Sequence, residues 1–261
     1  MTSTIINQIE DHVQIITLNR PEKKNAFNTE MIEAWVESLE QAQQNDDVHV
    51  IVITGAGDAF CSGGDVKTMN EGKDSPLDHK HRLWKFIHRV PLTLKKMDKP
   101  VIAAINGPAV GAGLDMALMA DIRTMADTAR VSEGYVKVGL VPGDGGAYYL
   151  PRLVGEAKAL ELLWTGNFID AEEALRLGLV NQVYPREEFM ERTLELAKQI
   201  ASGPQVAIRM TKRAVKQSLK MDLESSLDLI SSHFAIIKET EDHKEGVLAF
   251  SEKRKPKFQG R

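Results

Sequence analysis

The stretch Asn106–Asp121, NGPAVGAGLDMALMAD, sets the frame for the rest of the chain. It follows Val101-Ile102-Ala103-Ala104-Ile105, an apolar run that reads as a buried strand. It turns through Gly107, Gly111 and Gly113 into Leu114–Ala120, which reads as the start of a buried helix. Glycines at such a corner let the backbone turn sharply and come close to a ligand. The first N–H groups of a helix have no internal partner, and the helix dipole adds positive potential there. A strand, a glycine turn and a helix therefore make a ready site for an anion or oxyanion. Asp115 sits one turn in, among apolar neighbours. It is either a helix-start partner or a catalytic carboxylate.

Two further corners share this design. Val48–Thr54, VHVIVIT, is a β-branched strand that runs into Gly55-Ala56-Gly57-Asp58-Ala59-Phe60-Cys61-Ser62-Gly63-Gly64-Asp65. Ala129–Val138 leads into Gly139-Leu140-Val141-Pro142-Gly143-Asp144-Gly145-Gly146, which opens an amphipathic helix through Tyr148, Tyr149 and Leu150; if Ala129–Val138 is extended, Glu133 and Tyr135 lie on one face. Two backbone N–H groups from separate corners that converge on one carbonyl oxygen form an oxyanion hole. Each such donor stabilises the transition state by about 3 kcal/mol. With Asp115 and Asp144 on the corners, the set suits proton abstraction next to a carbonyl, or addition of water to a conjugated double bond.

The flanks complete an α/β pattern. Residues 4–19 read as a hairpin with Glu10-Asp11 at the turn. Asn28 caps a helix over 29–44 with Ile32, Trp35, Leu39 and Ala42 on one face. Asp170 and Gly178 bracket a short helix, and Leu179–Tyr184 is strand-like. Residues 66–90 read as a polar, partly helical cover. His79 and His81 within it lack the i,i+4 spacing of a helical metal pair and read as part of a solvated charged helix. From Glu187 onward the chain reads as helical, over roughly 187–202, 204–220, 222–239 and 241–252. This gives a core of 1–195 and a helical region of 196–261, whose apolar face needs the core or another subunit. The basic tail Lys253–Phe258 is either a solvated end or a phosphate contact.

Composition narrows the function. The 261 residues carry a net charge of −4 and 43% hydrophobic content, enough for one large core. No basic field argues for nucleic acid, and no apolar run is long enough to span a membrane. The start, MTSTIINQIEDH, has no secretory pattern. A lone cysteine, Cys61, excludes an intrachain disulfide and fits a reducing, cytoplasmic setting. Dinucleotide-binding, Walker and hydrolase-elbow spacings are absent.

Taken together, the pieces resemble the enoyl-CoA hydratase/isomerase (crotonase) family over nearly the whole chain. They are Asn19-Arg20-Pro21 with Asn25-Ala26-Phe27; the Gly55–Asp65 loop; Asn106–Asp121; Gly139–Gly146; Gly166 with Ala171, Ala174 and Gly178-Leu179-Val180; and Phe250 with Glu252-Lys253-Arg254. The resemblance implies a spiral of ββα units followed by a helical region that packs trimers, often paired into hexamers. It implies an acyl-CoA thioester substrate, with CoA as part of the substrate, and neither metal nor redox cofactor. By position, Ser62 and Ala112 would supply the oxyanion-hole N–H groups. Asn25, Ala26, Cys61, Ser62, Gly63, Gly64, Asp65 and Val66 would line the CoA channel, with adenine near Gly64 and Asp65, and Lys253 would meet CoA phosphates. Family hydratases carry two glutamates. One position here is Asp115, a methylene shorter, and the other is Tyr135, which is no carboxylate. Asp144 and Glu133 are the acids placed to compensate, with Tyr135 as a hydrogen-bonding or shape residue. The implied activity is hydration of a 2-enoyl-CoA. Double-bond isomerisation through Asp144 is the alternative, and a non-catalytic acyl-CoA binder is more distant.

Overall fold

The structure, a computed structural model, describes residues 3–65 and 75–261. Val66 lies outside the described residues. Strands β1 (Ile5–Glu10) and β2 (Val13–Leu18) form the expected antiparallel hairpin. Its turn is Asp11-His12 rather than Glu10-Asp11, because Glu10 pairs with Val13 and leaves a two-residue loop. Both loop residues have positive φ, 48° and 64°, which matches the twist of a tight hairpin.

Helix α1 (Thr29–Gln44) starts where Asn28 accepts from the Met31 N–H, and it buries Met31, Ile32, Trp35, Val36, Leu39 and Ala42. Strand β3 (Val50–Gly55) follows, buried at every residue. After helices α2 (Pro76–Arg82) and α3 (Arg89–Lys96), joined by a wide turn at Leu83–Ile87, comes β4 (Val101–Ile105), also wholly buried. Strands covered on both faces read as continuous apolar runs, as VIVIT and VIAAI do. The main sheet has the order β1-β2-β3-β4-β6-β9, with β6 at Ile122–Ala126 and β9 at Gln182–Tyr184, and is parallel from β2 onward.

A second, three-stranded sheet holds the site together. It has the order β5 (Ala109–Val110), β7 (Arg130–Ser132), β8 (Ile169–Asp170). Strand β5 leads into α4 (Ala112–Leu118), the corner of the opening stretch. A parallel bridge from Cys61 to Ala109 ties the second glycine loop to the same strand. The segment Ala129–Val138 is a strand only over Arg130–Ser132. Gly134–Val138 is a tight 3₁₀ turn ended by Gly139 at φ 70°. Helices α5 (Gly146–Val154), α6 (Glu156–Thr165) and α7 (Ala171–Arg176) follow, and Asp170 caps α7 by accepting from the Glu173 N–H.

The C-terminal region is helical: α8 (Phe189–Ala201), α9 (Gln205–Ser218), α10 (Leu223–Lys238) and α11 (Glu241–Ser251). Helix α8 crosses residue 195 and lays Phe189, Thr193, Ala197 and Ala201 onto the core. Helix α10 buries none of its residues and leaves Leu223, Leu227, Ile230 and Phe234 exposed. Among the described residues, no helix is long and apolar enough to cross a membrane.

Candidate active site

The two corners of the expected oxyanion hole meet. Helix α4 begins at Gly111, at φ 52°, with no side-chain cap, and the Ala112 N–H has no acceptor among the described residues. Gly113 lies so close to the second loop that a Cβ on it would stand 2.1 Å from the Cys61 carbonyl oxygen. A Cβ on Gly63 would stand 3.6 Å from the Ala112 nitrogen. A side chain at Gly113 would push the two loops apart, and one at Gly63, at φ 95°, would strain the backbone.

The N–H expected as the second donor is already engaged. The Ser62 N–H already donates to the Lys24 carbonyl at 3.0 Å, and the Ser62 side chain is exposed. Two residues on, Gly64 forms a parallel bridge with Phe27, whose N–H donates to Gly63 and whose carbonyl accepts from Asp65. In that geometry Gly64's own N–H points away from Phe27. It has no acceptor among the described residues. Sequence spacing could not separate Ser62 from Gly64, because the choice depends on a carbonyl 38 positions away.

Several residues expected at the CoA channel hold the loop in shape. Asn25 is fully buried with φ 56°. Its amide donates to Ala56 and Ala59, and its oxygen accepts from the Arg20 N–H. It therefore has no side-chain atom free to face a ligand. Ala26 is buried, and its carbonyl accepts from the Arg20 guanidinium. The Cys61 thiol is buried against the Asn25 carbonyl, and burial pushes it up to about 12. Gly63, Gly64 and Asp65 stay together on the loop, where Asp65 pairs with Arg20 at 3.2 Å. Lys253 is exposed just beyond α11, at φ 53°. Asn106, which the sequence did not single out, fastens the loop from beneath. It donates to Gly55, Gly57 and Ala59 carbonyls and accepts from the Gly55 N–H.

All four remaining candidates come together. The Tyr135 hydroxyl lies 2.7 Å from Asp115 Oδ2 and 3.0 Å from Asp144 Oδ2. The Asp144 N–H also donates to Asp115 Oδ2, at 3.2 Å. Parallel pairing of β5 with β7 carries Glu133 and Tyr135 to the Gly111–Asp115 corner. The Tyr135 ring packs 3.7 Å from where a Gly111 Cβ would be. Asp144 is not a helix cap, because Gly145 occupies that position without a side-chain bond. His88, between the wide turn and α3, holds the Asp144 loop by donating from Nε2 to the Gly143 carbonyl at 2.8 Å. That contact is legible only in the fold.

Burial dominates the electrostatics. It pushes Asp115 up to about 6, against the pull of the Tyr135 hydroxyl and the Gly146 N–H. It pushes Glu133 up to about 10, with Asp115 and Asp144 adding in the same direction. Asp144 is also raised by burial, while Tyr135 and His88 hold it back. Asp144 and Tyr135 keep 5% and 9% of their surface, whereas Asp115 and Glu133 keep 0% and 1%. Asp144 and Tyr135 thus form the outer part of the cluster and the other two its floor.

This architecture is the crotonase fold. It superposes on an enoyl-CoA hydratase from Bacillus anthracis with a TM-score of 0.91 and 33% identity, covering 99% of this chain and 100% of that one. The family model described as enoyl-CoA hydratase/isomerase matches residues 8–261, and the chain belongs to that family. Its relatives include 1,2-epoxyphenylacetyl-CoA isomerase of Escherichia coli, 36% identical over the full length of both chains. They also include crotonyl-CoA hydratase of Syntrophomonas wolfei, 34% identical over 97% of each.

Proposed function

We propose that this chain hydrates a 2-enoyl-CoA thioester. The observation that carries the reading is the pair of acids, Asp115 and Asp144, joined by the Tyr135 hydroxyl beside the unengaged Ala112 N–H. The Ala112 and Gly64 N–H groups would bind the thioester oxygen and hold the charge it gains as the enolate forms. Water would attack C3 while an ionised carboxylate of the pair takes its proton, and that proton would return to C2. Asp144, at the outer side of the cluster, is the group for the substrate face, and Asp115 supports it through Tyr135. Gly63, Gly64 and Asp65 would carry the CoA moiety, with Lys253 toward its phosphates, and the reaction as written needs no metal or redox cofactor. A test is the loss of the conjugated-thioester absorbance of crotonyl-CoA, abolished in Asp115→Asn. No turnover of any 2-enoyl-CoA would refute the reading.

One observation favours a second reading, movement of the double bond. A single hydroxyl bridging two carboxyls keeps a base and its conjugate acid in one network, which is what carrying a proton from one carbon to another requires. Conversion of a 3-enoyl-CoA to its 2-enoyl isomer without hydration would select it. One relative is named a crotonyl-CoA hydratase and another a 1,2-epoxyphenylacetyl-CoA isomerase. The exposed apolar face of α10 supports a trimer or hexamer, and the lone buried cysteine fits a cytoplasmic setting. Light scattering on the purified protein tests the assembly.

A further inference from the structure

The hydration scheme gives Glu133 no task, yet Glu133 sits in the floor of the cluster. It is 1% exposed, and neither of its carboxyl oxygens meets a donor among the described residues. Asp115 Oδ1 is orphaned in the same way. The orphaned oxygens converge. A Cβ placed on Gly146 would stand 2.3 Å from Asp115 Oδ1 and 3.2 Å from Glu133 Oε1. Two charged carboxylates that close repel each other, and buried charges without donors are strongly disfavoured. One proton between them converts the repulsion into a strong O–H···O⁻ hydrogen bond. The charged groups that face Glu133 are Asp115 on α4 and Asp144 before α5. Both are acidic, and the Tyr135 hydroxyl is neutral, so among the described residues no cation substitutes for the proton.

We propose that Glu133 remains protonated in the working enzyme and donates its O–H to Asp115 Oδ1, fixing Asp115 as the charged member of the pair. Glu133 is then a positioning residue. Asp115 receives one hydroxyl on each oxygen, from Glu133 on Oδ1 and from Tyr135 on Oδ2. Asp144 Oδ1, buried and without a partner, is left as the oxygen free to exchange a proton with substrate. The upward push on Glu133 from burial and its acidic neighbours agrees with this assignment. The inference rests on the reading of Asp115 as an ionised partner in the proposed reaction.

The test uses Glu133→Gln, which keeps a donor, and Glu133→Met, which has similar length and none. A carboxyl whose folded pKa is raised loses its stabilising contribution as pH climbs above the unfolded value. The wild-type Tm should therefore fall more steeply between about pH 5 and 9 than the Tm of E133Q. In kcat/KM against pH, E133Q should keep the acid limb in place, while E133M should move it up by about one pH unit. Equal Tm slopes for wild type and E133Q would overturn the proposal even if E133M fails to fold. So would an acid limb that coincides in E133Q and E133M. Full turnover by Asp115→Asn would instead refute the proposed reaction, and the Tm comparison would still judge Glu133 without any turnover.

Discussion

Replacing Tyr135 by Phe removes one oxygen from the centre of the acid cluster and little else. The ring keeps its place against Gly111, so no cavity opens. Asp115 Oδ2 loses its 2.7 Å donor and keeps only the Asp144 N–H at 3.2 Å. A hydrogen bond to a charged carboxylate contributes about 1.5–3 kcal/mol. At 1.36 kcal/mol per unit, this loss raises the Asp115 pKa by about one to two units. Asp115 starts from about 6 in the wild type. It must be ionised to act, so the acid limb of kcat/KM should rise to about pH 7–8. Near pH 7 the ionised fraction of Asp115 then drops, so kcat/KM should fall about two- to tenfold, and the loss should return at alkaline pH as Asp115 ionises. The assay is kcat/KM for crotonyl-CoA across pH, with circular dichroism to show that the fold persists. An acid limb unmoved near 6, with full turnover, would refute the role given to the Tyr135 hydroxyl.

Three further outcomes follow from the same geometry. Asp144→Asn should lower kcat at least about tenfold while Tm stays close to wild type, measured by steady-state kinetics and calorimetry. Gly146→Ala brings a methyl to 2.3 Å from Asp115 Oδ1 and should destabilise the fold by about 1–3 kcal/mol, seen as a lower urea midpoint together with loss of turnover. Lys99→Met should cost a similar amount at neutral pH without changing KM. The buried Lys99 ammonium caps the end of α1 at the Ala42 and Asn45 carbonyls, at 2.7 and 2.6 Å, and methionine leaves both unmet.

How much of this could be read from the sequence depended on the range of the interactions. Local signals placed the elements well. Asn28 and Asp170 cap the helices they were expected to cap, and VIAAI is a strand with the expected bounds, Val101–Ile105. The three glycine corners were legible because glycine marks backbone that must pass close to something else. Long-range pairing was not legible. Ser62 looked like a donor until the Lys24 carbonyl took its N–H. Asn25 looked like a channel residue, but its side chain closes on Ala56 and Ala59. Glu133 and Tyr135 would share one face only if their segment were extended. They reach Asp115 instead from the end of β7 and the tight turn after it, because β7 lies beside β5. The role of Gly146 as the space between two carboxyls shows only once those carboxyls are placed.

A crystal structure with an unreactive enoyl-CoA analogue bound would show where the thioester oxygen rests. The expected position is 2.7–3.1 Å, the usual range, from both the Ala112 and Gly64 nitrogens, with the Asp144 carboxyl facing C2 and C3. A thioester oxygen held by the Ser62 N–H, or lying away from Ala112 altogether, would contradict the oxyanion site and the chemistry built on it.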